Sequence, residues 1–123
     1  MKYTKFVALL LEDDDHETGF ITAAHHLRDE GILEEEMHNE LAENLQWIEE
    51  NLPKRPDFPQ DQDDLSSPMS WLKESSINHL QKMRNIQRIL EENDILVEIF
   101  EVDTPGKIIY EDDWQVVALP FVK

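Results

Sequence analysis

Hydrophobic residues change their spacing twice along this chain, and that change constrains the fold more than any other feature. The run TKFVALLL (4–11) is apolar on both alternating faces, as a strand covered on both sides requires. From Leu33 the spacing becomes helical. Leu33, Met37, Leu41, Leu45, Ile48 and Leu52 recur at steps of three and four, which predicts an amphipathic helix to about Asn51, ended by Pro53. In the last third the spacing returns to two. ILVEIFEV (95–102) reads as one strand turned by TPG, and KIIYE and WQVVALPF read as a hairpin closed by Asp112-Asp113 and capped by Trp114.

The segments between these runs are assigned by their punctuation. GFITAAHHLRDE reads as a short helix, with the acids of EDDDHET as its N-cap and first turn and Gly31 as its stop. Ser67 as N-cap and Pro68 at the first helical position predict a long helix to about Asn93, with Met69, Leu72, Leu80, Met83, Ile86 and Leu90 toward the core. The stretch PKRPDFPQDQDDLSSP holds four prolines and no periodicity, so residues 53–67 are expected to be a long loop available for contact. The expected fold is α/β of the α+β kind. One small sheet of about four strands is packed by three helices in the order β-α-α-α-β-β-β, as a single domain over residues 1–123.

Charge narrows the partners. The chain carries 28 acids against 11 bases, a net charge of −17, and residues 1–64 hold 18 of the acids with 5 of the bases. Such a balance opposes binding to phosphate backbones or anionic lipid. There is no cysteine, which removes disulfides, thiolate metal sites and cysteine nucleophiles. No apolar run approaches the roughly 20 residues that span a bilayer, and the N-terminus lacks the order of a signal peptide, so a soluble cytoplasmic protein is expected.

Candidate chemistry is sparse. Glu35 and His38 form an E-x-x-H pair on one helical face, and a divalent metal would need a further ligand from His16, His25 or His26. The acids of 12–15 and of DQDD (61–64) lack calcium-loop spacing. His79 sits mid-helix with Ser70, Ser75 and Ser76 expected on the same helix, and no G-x-S-x-G turn lifts a serine into reach. A buried, hydrogen-bonded histidine is the simpler expectation, and a general base the alternative. The three glycines are each accounted for by a turn or a cap, so no loop is left to cradle a phosphate. Neither catalysis nor a cofactor is expected.

Two resemblances bear on the C-terminal half. KIIYEDD resembles a hairpin segment of the histidine-triad nucleotide-binding proteins, but the alternating H-x-H-x-H on which that family acts is absent, and its activity does not carry over. The segments SWLKESSINHLQKM and PGKIIYEDDWQVVALPF resemble a group of small bacterial proteins that share S-W-F-K, H-x-x-x-M and P-G-x-x-x-Y-E-D phrases. Ser70, Trp71, Lys73, His79, Met83, Gly106, Tyr110, Glu111 and Asp112 fall on them. That resemblance implies a stable fold and no activity.

The functional expectation therefore rests on the acidic half. A basic protein partner would neutralise it, with contact through Glu36, Glu40, Glu43 and Glu50 and with Trp47 either as an anchor or as a lid over the core. Such a partner could be a nuclease or nucleic-acid-binding protein, whose groove spaced carboxylates would occupy in the manner of an inhibitor or immunity protein.

Overall fold

The computed structural model describes residues 2–11, 17–54 and 69–119. Nine elements follow in order: β1 (Tyr3–Leu11), β2 (Glu17–Gly19), α1 (Phe20–Asp29), α2 (Glu35–Asn51), β3 (Met69–Lys73), α3 (Ile77–Glu92), β4 (Val97–Val102), β5 (Lys107–Glu111) and β6 (Gln115–Leu119). Among the described residues the protein is α+β, with three helices and one sheet that is antiparallel at every pairing. Five strands lie in the order β4-β1-β3-β6-β5. The short β2 joins the same edge of β1 as β3 does, further along the strand.

Two expectations change. Residues 69–73 form a strand, where a helix from Ser67 was expected. Met69 and Leu72 fit a helical step, but Trp71 and Leu72, adjacent and so on opposite faces of the sheet, are both buried. Ser70 therefore lies on β3 and Ser75 in the turn after it, off the helix that carries His79. Second, β2 runs directly into α1, whose first turn holds no acid. Residues 12–16, 55–68 and 120–123, including the expected Ser67 cap and nearly all of the 53–67 loop, lie outside the described residues.

All three helices contribute to one core. Phe6 and Leu72 from the sheet meet Leu27, Leu41, Leu45, Ile48, Ile86, Ile89 and Leu90 from the helices. Burial of each large aliphatic side chain is worth about 1.5–3 kcal/mol. On the opposite sheet face Trp71, Val116 and Ala118 form a smaller cluster beside Tyr3 and Val102. The hairpin of β5 and β6 is asymmetric: β6 is buried over Gln115–Ala118, whereas β5 is an edge strand that leaves Ile108 exposed.

The helix ends follow local chemistry. Leu52, before Pro53, is extended as a residue preceding proline must be, and its N–H closes α2 on the Ile48 carbonyl. After α3 the Asp94 N–H bonds the Glu91 carbonyl and the Ile95 N–H bonds that of Leu90, a Schellman pair. This places Asp94 at φ 66, where a side chain is strained and glycine is not. Asp94→Gly is therefore expected to stabilise the fold by about 0.5–1 kcal/mol, read as a rise in urea midpoint at unchanged slope. A fall in midpoint would show that the Asp94 side chain contributes more than its backbone strain costs.

Candidate functional site

The outward side of α2 carries a run of exposed carboxylates. The predicted contact residues Glu36, Glu40, Glu43, Trp47 and Glu50 succeed one another at steps of four and three, so they form a single stripe beside the buried row of Leu41, Leu45 and Ile48. Glu36, Glu43 and Glu50 are exposed. Their i,i+7 spacing sets them about 10.5 Å apart along the axis. Glu34, Glu35 and Glu49 are exposed beside them. Among the described residues none of these six carboxylates is in an ion pair. Glu50 accepts a hydrogen bond from the Gln46 amide at 2.9 Å.

The other two members of the stripe are already engaged. Glu40 pairs with Arg88 of α3, which also reaches Glu92 at 3.5 Å. Trp47 is half-buried against the core, and the Lys82 ammonium lies 5.6 Å from its ring centroid. Arg88 and Lys82 of α3 thus close over one margin of the acidic stripe. Asn44 of α2 adds to this seam by accepting from the Asn85 amide at 3.1 Å. Arg28 is engaged with its neighbour Asp29, whose carboxyl it holds below the ordinary value through their hydrogen bond.

His79 occupies a structural position. It is 4% exposed, and its ring lies 4.9 Å from that of Trp47 and 5.6 Å from that of Trp114. Nε2 is 2.8 Å from the Asn51 carbonyl, which can only accept, so Nε2 carries the proton and donates. This bond fastens the C-terminal end of α2 to α3. The Ser76 hydroxyl, one turn before His79, donates to the Trp114 carbonyl at 2.8 Å and is directed at the hairpin. The buried, hydrogen-bonded histidine expected from the sequence is what the fold contains.

The hairpin turn is the second polar centre. Asp112 Oδ1 accepts from the Trp114 and Gln115 amides at 2.8 and 2.9 Å, and Oδ2 accepts from the Tyr110 hydroxyl at 3.0 Å and from Gln115 Nε2 at 3.1 Å. Partial burial pushes this carboxyl up, but these donors together outweigh it and hold Asp112 below the ordinary value. The same hydrogen bond raises the Tyr110 phenol. Asp112 thus organises the corner between the two apolar arms.

The metal-ligand candidates are placed as follows. Glu35 and His38 share the first turn and a half of α2, and His25 and His26 lie on α1. Among the described residues no three His, Asp or Glu side chains gather to hold an ion, and His16 is outside them. No helix of the described residues is long and apolar enough to cross a membrane. The fold and its surface define an acidic α+β protein. Comparison with family models, with characterised proteins and with solved structures gave no match.

Proposed function

We propose that this protein is a non-enzymatic interaction protein that binds a basic protein partner through the outward side of α2. The reading is carried by the unequal neutralisation of that helix. Glu40 is matched by Arg88, whereas Glu36, Glu43 and Glu50 are exposed and outside any ion pair among the described residues. Two like charges about 10 Å apart repel by about 0.4 kcal/mol in unscreened water, and salt reduces this further. The row is cheap to maintain, and a cationic surface would find it already arranged. Spaced carboxylates on a rigid helix offer such a surface what a row of phosphates offers it. The partner class is therefore a nuclease or another nucleic-acid-binding protein, and the role that of a nucleic-acid-mimicking inhibitor or immunity-type protein. Association of this kind is fast and salt-sensitive.

The test is affinity capture of a basic protein with the wild-type chain and with Glu36/Glu43/Glu50→Gln, both eluted by a salt gradient. One basic protein released by salt from the wild type and absent from the variant is the expected result. Equal capture by both would remove α2 from the interaction.

A further inference from the structure

Among the described residues the sheet ends in two edge strands, β4 and β5, and they differ. β5 carries a register irregularity between Ile108 and Tyr110. A bulge of this kind twists an edge away from further pairing. β4 has none: its six residues pair one for one with β1, from Val102 opposite Tyr3 to Val97 opposite Ala8. Among the described residues β4 hydrogen-bonds to β1 alone. Every second residue of an antiparallel edge strand turns its N–H and C=O away from its neighbour. β4 therefore presents a regular row of backbone groups to which another strand can add.

The side chains along this edge are open. Phe100 is 42% exposed, Leu96 just before the strand is 64% exposed, and Glu98 and Glu101 are exposed. Neither glutamate is in an ion pair among the described residues. The register sets Glu98 and Phe100 on the sheet face of Val7 and Lys5, and Ile99 and Glu101 on the helix-side face of Phe6 and Thr4. An incoming strand thus meets one carboxylate on each face, with two apolar residues between them. Charged side chains commonly guard an open edge against a second copy. β4 holds no base, so no register of self-pairing makes an opposite-charge pair, and each gathers the two glutamates of both copies. The same pattern favours a strand that brings bases.

We propose that β4 is a docking edge for an extended segment of another protein with the pattern basic–apolar–apolar–basic, added antiparallel to Glu98-Ile99-Phe100-Glu101. Main-chain hydrogen bonds supply the attachment, and bases opposite the two glutamates select the segment. Antiparallel addition continues the pairing that the described sheet uses throughout. The edge lies on a different element from the α2 carboxylates, so either reading can fail without the other.

The experiment is an NMR titration of the labelled full chain with two end-capped peptides of one composition, STKVVKTS and STVKKVTS. The first sets lysines opposite Glu98 and Glu101 and valines opposite Ile99 and Phe100. The second exchanges them, and so reports attraction to the net charge of −17 alone. Saturable shifts of the backbone amides of residues 96–102 are expected for the first, with a dissociation constant below about 1 mM and about tenfold weaker binding of the second. Glu98→Lys/Glu101→Lys, at two exposed positions, is expected to bring the first peptide down to the level of the second while the amide spectrum of the fold persists. The proposal is overturned if STKVVKTS does not saturate these resonances, if both peptides bind equally, or if the shifts fall on α2 in place of β4. Binding that survives the double substitution overturns it as well. Shifts of the same amides with protein concentration alone would name a second copy as the occupant and overturn it too.

Discussion

Replacing His79 by alanine is expected to destabilise this protein by about 3–4 kcal/mol, the largest effect of any polar residue in the fold. Two losses combine. Removing a buried ring from between Trp47 and Trp114 leaves a cavity that its neighbours refill only in part, at about 2–4 kcal/mol. The Asn51 carbonyl at the end of α2 loses its donor, at about 1–3 kcal/mol, offset where water reaches it. Near the midpoint this corresponds to a fall of roughly 10–15 °C for a chain of this length. His79→Gln can still present an N–H to Asn51 and is expected to recover about half of the loss. Urea unfolding followed by tryptophan fluorescence checks both variants, because two of the three tryptophans flank the ring. A loss under about 1 kcal/mol for His79→Ala would mean that the junction of α2 with α3 does not depend on this residue, and the base reading would need to be reopened.

Asp112→Ala is expected to cost about 2–3 kcal/mol by undoing the turn between β5 and β6. Four donors converge on this carboxylate, two of them backbone amides that alanine leaves without an acceptor. The effect reaches beyond the hairpin. Gln115 also holds the Pro53 carbonyl, and the Trp114 carbonyl receives both the Lys73 amide and the Ser76 hydroxyl, so the turn anchors the entry to α3. Asp112→Asn keeps an oxygen for the two amides and is expected to lose less. The pH dependence follows from the direction of the shift. The carboxyl is lowered in the folded state, so its charge contributes stability above the ordinary aspartate value of about 3.9, and that contribution is lost as pH falls through the lowered folded value. The stability difference between wild type and Asp112→Asn is therefore expected to be constant near neutrality and to shrink in strong acid. A difference that grows on acidification would contradict the assignment of Asp112 as the charged partner.

Much of this architecture was legible because long periodic runs leave one solution. The rows in α2 and α3, the doubly apolar β1 and the alternating final strands all follow from spacing alone. The EDD corner was legible too, because an aspartate between two strands can satisfy the amides that follow it. Residues 69–73 were misread because MSWLK is too short for its period to be decided, and a serine and proline before it imitate a helix start. Three-residue β2 carries no period at all. The engagement of Glu40 by Arg88 joins residues 48 apart in the chain, so no local pattern announces it.

On the function proposed above, the exposed carboxylates of α2 that are outside any ion pair among the described residues bind a basic protein. Calorimetric titration of the captured, purified partner at several salt concentrations tests it most directly, with wild type compared with Glu36/Glu43/Glu50→Gln. A one-to-one complex whose affinity falls steeply with salt, and a variant that is both weaker and markedly less salt-dependent, is the predicted result. An affinity and a salt slope that the three substitutions leave unchanged would contradict the account.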